Sequence, residues 1–125
     1  MSYYNWSYIL LRMSASEVQN MSQNAETCSK EYGISPNTVH NIIAWNVSND
    51  DNFKKFMYCI DSKSGYADED GHFVIEKFLA MQIVNGTREE VAAMFKDCNK
   101  TTKKSPGQTL YAVSECVTKR IVWST

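Results

Sequence analysis

The chain has 125 residues, of which 43% are hydrophobic and 22% are charged. This balance is typical of one globular domain and argues against a disordered segment. The net charge of -1 argues against a nucleic-acid partner, because such proteins need a basic surface to hold phosphates. No apolar run approaches the length of a membrane span, so we expect no membrane insertion.

An aromatic segment, MSYYNWSYILLRM, opens the chain. It lacks the basic start and the long apolar stretch of an intact signal peptide, so we expect it to belong to the mature fold or to be an added end. Tyr3, Trp6, Leu10 and Met13 recur at a heptad-like spacing, which favours a helix that packs on the body or across a dimer. A disordered end is the alternative.

Capping residues divide the remainder of the chain into six predicted amphipathic helices. Ser or Thr residues, or the end of an acidic turn, mark where these helices begin: Ser14, Ser35, Ser48, Gly71, Thr87 and Ser105. Gly33, Gly65 and Gly86 stop the first, third and fourth helices, as glycine does just past a helix end. No stretch alternates with period two between turn dipeptides, so we expect no β-sheet. The sequence therefore divides into an extension, residues 1–13, and one all-α domain, residues 14–125.

The chemistry of the polar residues argues against an enzyme and against a metal or cofactor. The chain has two histidines, His40 and His72, and contains no G-x-S-x-G, H-E-x-x-H, P-loop or G-x-G-x-x-G motif. The acidic turn before His72 does not fit a calcium loop. With Gly71 at its sixth position, Tyr66 would stand first and Lys77 twelfth, where carboxylates are required.

Four widely spaced cysteines, Cys28, Cys59, Cys98 and Cys116, carry the strongest signal in the chain. None forms a C-x-x-C pair, which argues against a zinc ribbon or a thioredoxin-type site. In so short a chain they favour two disulfides and a secreted, extracellular protein. Four buried thiols in a cytosolic protein are the alternative. The spacing by itself allows three connectivities.

The spacing of these cysteines resembles that of the insect odorant-binding protein family (the pheromone and general odorant-binding proteins), specifically its four-cysteine C-minus subgroup. With the four taken as the family's first, third, fourth and sixth cysteines, the absent second falls at Lys55 and the absent fifth at Gly107. The local sequence also resembles that of the family, with an F-x-x-x-x-x-C helix, a D-E-x-G turn and a later helix ending in D-C. The resemblance covers about Ser14 to Ile121.

The resemblance implies six short helices that enclose an internal hydrophobic cavity and are stapled by two disulfides. The implied pairs are Cys28 with Cys59 and Cys98 with Cys116. The missing bridge would have tied the third predicted helix to the start of the sixth. We expect that without it these two helices move apart more easily and leave a more adaptable pocket.

The function that this implies is non-catalytic carriage of small hydrophobic molecules, such as odorants, pheromones or related lipophilic ligands. A membrane receptor and a second copy of the chain are further candidate partners. We expect the ligand to contact apolar side chains of the later helices and the tail, namely Phe56, Phe78, Met81, Met94, Leu110, Val113, Val117 and Trp123. The alternative is a secreted helical interaction protein whose aromatic amino-terminal segment makes dimer or partner contacts, with ligand binding vestigial.

Overall fold

The computed structural model describes residues 8–34 and 51–124. The second predicted helix and the side chains of Tyr3 and Trp6 lie outside these ranges. Within them the chain is mostly helical, and its elements follow in the order β1 (Ile9–Arg12), α1 (Ala15–Tyr32), α2 (Asp51–Lys63), α3 (Ile75–Leu79), β2 (Gln82–Asn85), α4 (Arg88–Cys98), α5 (Pro106–Thr118) and β3 (Ile121–Ser124). None of these helices is long and apolar enough to cross a lipid bilayer.

Three of the predicted helix starts are confirmed, those at Ser14, Thr87 and Ser105. Ser35 and Ser48 lie outside the described residues, and the helix after Gly71 begins only at Ile75. The Ser14 hydroxyl accepts a hydrogen bond from the Glu17 amide at 3.2 Å, and the Ser14 amide donates to the Glu17 carboxylate at 3.1 Å. The same reciprocal pattern opens α4 at Thr87, and Ser105 caps α5 one residue before its first-turn proline. At the other end of α1, Gly33 adopts φ 64°, the left-handed conformation of a helix stop.

The expectation of no β-sheet is wrong. A small three-stranded sheet has the order β2-β1-β3, with β1 antiparallel to β2 and parallel to β3. Leu11 in the central strand pairs with Ile83 on one side and Trp123 on the other. Each strand has only four residues, too few to show a clear period-two pattern, and their partners lie far away along the chain.

Two predicted helical segments are therefore corrected. The fourth predicted helix was expected to continue to Gly86, but α3 ends at Leu79 and residues 82–85 form β2. Ile83 and Val84 are β-branched, which favours extended backbone. Ile83 pairs with Leu11 of β1, and Val84 lies at an irregularity in the pairing. The heptad-like reading of the first residues is wrong over Ile9–Arg12, which form the central strand. The domain boundary after residue 13 stays a prediction.

Two disulfides join the helices in pairs. Cys28 on α1 is bonded to Cys59 on α2, and Cys98 at the end of α4 is bonded to Cys116 on α5, which is the pairing that the resemblance implied. They close loops with sequence separations of 31 and 18, so each stabilises the fold by about 3–4 kcal/mol in the chain-entropy model.

The position of the missing bridge is occupied by a direct contact between backbones. Gly107, in the first turn of α5, is buried against α2. A Cβ atom on Gly107 would lie 3.1 Å from the Lys54 carbonyl oxygen and 3.4 Å from the Lys55 nitrogen. Glycine therefore allows α5 to approach α2 at the place where the six-cysteine pattern would have its third bridge. Whether α2 and α5 separate more easily stays a prediction.

Candidate functional site

A cavity of about 330 Å³ lies among α1, α2, α3, α5, the acidic turn and β3. Its walls are mostly apolar and include four methionines and four aromatic side chains. The lining residues are Met13, Met21, Met57, Ile60, Asp61, Tyr66, Phe73, Phe78, Met81, Ser114, Val117, Thr118 and Trp123. Methionine repacks at low cost, so such walls can adjust to more than one apolar shape.

Phe78 on α3 is the centre of the aromatic side of the cavity. Its ring stacks on Phe95 with centroids 4.2 Å apart, and it also contacts Tyr66 at 5.2 Å and Phe73 at 5.1 Å. Trp123 of β3 closes this group, with its ring 5.9 Å from that of Phe78. Because α3 has only about one and a half turns, it is too short to be stable by itself. The ring contacts of Phe78 therefore fix its position.

The acidic turn before α3 positions two of these rings. The Asp68 carboxylate accepts hydrogen bonds from the amides of Asp70 and His72, which closes the turn. The side chain of Asn99, just past α4, accepts from the Phe73 amide at 3.0 Å and donates to the Phe73 carbonyl at 2.9 Å. The turn is thereby fastened to the α4 end of the molecule, and Phe73 is held against the cavity.

Polar atoms enter the cavity wall at a few places. The Tyr66 hydroxyl donates to the Glu17 carboxylate at 2.6 Å, and this bond lowers the pKa of Glu17. Burial, together with the charge and hydrogen bond of Glu17, raises the pKa of Tyr66. Asp61 at the end of α2 is different, since burial raises the pKa of its carboxyl to about 7.

A second cleft, of about 500 Å³, adjoins the cavity. The two share Met57, Ser114, Thr118 and Trp123 in their linings. The cleft is also lined by Glu115, and it is the more polar of the two. Trp123 therefore borders both the polar cleft and the apolar cavity.

The structure brings half of the predicted pocket residues together. Phe78, Met81, Val117 and Trp123 line the cavity. The other four are buried elsewhere, and none of them borders it: Phe56 packs between α1 and α2, Met94 and Val113 belong to the central core, and Leu110 is fully buried. A role in binding stays a prediction for all eight.

Several lining residues were missed from the sequence. Met57 and Ile60 lie on a helical stripe that was recognised as apolar but not assigned to the pocket. Asp61 follows them at the spacing of the same face, so an acidic residue on an apolar stripe was the available signal. Met13 and Tyr66 gave no signal, because their positions depend on the sheet and on the turn.

Two groups of side chains have metal-ligand atoms close together within the described ranges. In one, Cys28 and Cys59 approach Glu31, but both sulfurs are used in a disulfide. The other is the exposed set of Asp68, Asp70 and His72. There the Asp68 carboxylate already binds the amides of its own turn, so the arrangement is that of a closed turn.

Comparison with known proteins agrees with this architecture. A family model described as the PBP/GOBP family matches residues 12–120. The chain is also similar to the crystal structure of the Locusta migratoria odorant binding protein lmigOBP1. The TM-score is 0.65 and the sequence identity is 21%, over 87% of this chain and 84% of that one. At that identity the likeness shows the fold alone. No curated protein matches the chain.

Proposed function

The chain belongs to the PBP/GOBP family, the insect odorant-binding proteins, and from this membership we propose that it carries a small hydrophobic molecule in the cavity beside Phe78 and Trp123. Members of this family are non-catalytic odorant-binding carriers, so the chain is not an enzyme. The family also favours carriage over the alternative of a helical interaction protein with vestigial ligand binding.

The single structural observation that supports this proposal is the mostly apolar cavity itself. A cavity of about 330 Å³ is at the small end of the range for ligand sites. A ten-carbon ligand gains roughly 8 kcal/mol gross, at about 0.8 kcal/mol for each buried CH₂ group. Immobilisation takes back part of this gain, so we expect affinity in the micromolar range.

Four of the predicted residues, Phe78, Met81, Val117 and Trp123, would contact the ligand directly. The cavity also favours an adaptable fit, because Met57 and Met81 belong to flexible, polarizable walls. We further propose that the protein is secreted, since two disulfides persist in an oxidising compartment. Assignment to the C-minus subgroup, and recognition by a receptor or by a second copy, stay predictions.

Two methionines provide a matched test of where the ligand lies. Met81 and Met94 are both buried, with 6% and 4% of their surface exposed, but Met81 lines the cavity and Met94 does not. In displacement of an environment-sensitive apolar dye, Met81→Ala should weaken affinity for decan-1-ol by about tenfold if about 1.4 kcal/mol of contact is lost. Met94→Ala should lower stability without that loss of affinity.

Two results would count against carriage in this cavity. One is the absence of binding by the dye and by long-chain alcohols, esters and terpenoids. The other is an equal loss of affinity in the Met81→Ala and Met94→Ala variants, which would place the ligand elsewhere or make the effect one of general destabilisation. Both variants should first be shown to be folded by circular dichroism.

A further inference from the structure

Asp61 is an acidic side chain in a cavity wall that is otherwise nearly free of charge. It lies at the end of α2, beside Met57 and Ile60, and is half-buried. Its backbone carbonyl accepts hydrogen bonds from the amides of Tyr66 and Ala67. Its carboxylate makes no hydrogen bond or ion pair with any residue in the described ranges. A half-buried carboxylate beside apolar side chains is stabilised by gaining either a proton or a cation partner.

The described part of the cavity wall does not supply that cation. No Lys, Arg or His occurs among its lining residues. Two hydroxyls of the wall are already used, because Tyr66 donates to Glu17 and Thr118 donates to the Glu115 carbonyl. Glu17 adds a second negative charge behind Tyr66, where it is opposed by Lys77, whose ammonium group lies 5.4 Å from the centre of the Tyr66 ring. The described lining of the cavity is therefore mostly apolar, and Asp61 is its one acidic residue.

We propose that Asp61 pairs with the ammonium group of an apolar amine, so that this cavity prefers amine ligands to neutral ligands of the same carbon skeleton. This rests on the proposed carriage function and names its ligand class. The hydrocarbon part would lie against Phe78 and Met81, and the ammonium group would form a charge-assisted hydrogen bond with Asp61. An ammonium ion is a ligand group that supplies both the donor and the charge that the carboxylate lacks.

The protonation states give this proposal a characteristic pH dependence. Because burial raises the pKa of Asp61 to about 7, the empty site holds a proton in more acidic solution. An alkyl ammonium, with a pKa near that of lysine at about 10.4, is already charged there. Below about pH 7 the carboxyl must release its proton to form the ion pair, so amine affinity falls as the pH falls. Among the titratable groups of the surrounding elements, Glu17 and Lys77 lie at Tyr66 beside the cavity, and Glu115 lines the adjoining cleft.

The test compares octylamine, octan-1-ol and octanoic acid as competitors of an apolar dye at pH 8. We expect octylamine to bind about tenfold more tightly than octan-1-ol, and octanoic acid to bind most weakly. Asp61→Asn keeps the size of the side chain and removes its charge. It should lower the affinity for octylamine about tenfold, to that of octan-1-ol. Glu115→Gln, at an acid of the adjoining cleft, is the matched control and should leave the preference intact.

The proposal is overturned if octylamine and octan-1-ol bind equally to the unaltered protein, or if Asp61→Asn leaves the amine preference in place. It is also overturned if the alcohol is preferred and binds more tightly as the pH falls. That result would make Asp61 a neutral hydrogen-bond donor. In each of these cases binding of the alcohol still supports carriage, whereas carriage itself fails only if no competitor and no dye binds.

Discussion

Substitution of Gly71 by alanine tests how the acidic turn is fixed against the rest of the fold. Gly71 is buried and has φ +92°, a conformation that costs other residues about 1–2 kcal/mol. An added Cβ would also lie 2.8 Å from the Pro106 carbonyl carbon and 3.0 Å from its Cα, with the carbonyl oxygen closer still. Overpacking of this kind costs about 1–3 kcal/mol. We therefore expect Gly71→Ala to lower the free energy of unfolding by about 2–5 kcal/mol.

Gly33 supplies a control that separates the two costs. It also has positive φ, at +64°, but no heavy atom of the described residues lies within 4 Å of the place where its Cβ would be. Gly33→Ala should therefore show the backbone cost alone, about 1–2 kcal/mol. Equilibrium unfolding in urea, with the disulfides intact, measures both variants under the same conditions.

Gly71→Ala should also affect ligand binding. The turn that contains Gly71 carries Tyr66 and Phe73 into the cavity wall, so Gly71→Ala should weaken binding of an apolar dye while Gly33→Ala should not. If the two variants lose the same free energy of unfolding and bind the dye equally well, then the turn is not held against Pro106 in the way described.

Two further predictions concern α2. Gly107→Val should lower the free energy of unfolding by about 1–3 kcal/mol, because its Cβ would lie 3.1 Å from the Lys54 carbonyl oxygen; a chemical denaturation midpoint equal to that of the unaltered protein would contradict this contact. Burial raises the pKa of Asp61 to about 7 in the folded state, compared with about 3.9 in the unfolded chain. The folded protein therefore keeps its full stability below pH 4 and loses stability as the pH rises to about 7. The loss from this group is at most about 4 kcal/mol. Asp61→Asn should therefore raise the melting temperature at pH 8 relative to the unaltered protein and have little effect at pH 4, and a uniform change at both pH values would refute this origin.

The parts of the fold that were predictable are those that depend on local chemistry. Ser14 and Glu17 predict the start of α1 because the hydrogen bonds of a capping box join residues three apart. Gly33 predicts the end of α1 for a similar reason, since only the backbone conformation of Gly33 itself is needed. The sheet could not be found in this way. Leu11 pairs with Ile83 and Trp123, and nothing in four residues of each strand specifies a partner so distant.

The location of the cavity was harder to predict from the sequence. Met81 and Met94 have the same chemistry and are buried to nearly the same extent, but Met81 borders the cavity and Met94 does not. Amphipathic periodicity identifies the side of a helix that faces inward. It does not indicate whether a neighbouring side chain or an empty space lies opposite that side, so it identifies buried residues without identifying pocket residues.

Gly107 bears on the expectation that α2 and α5 separate easily. A Cβ on Gly107 would lie 3.1 Å from the Lys54 carbonyl oxygen and 3.4 Å from the Lys55 nitrogen. The two helices are therefore already in close contact where the bridge would be, and van der Waals contact takes the place of a covalent bond. Such a contact holds two helices together only while both are folded, so it cannot restrict the unfolded chain as a disulfide does. Amide hydrogen exchange distinguishes the two expectations for the ligand-free protein. Fast exchange confined to α2 and the first turn of α5 would support an adaptable pocket, and deep protection of both would show that the contact at Gly107 holds these helices together without the bridge.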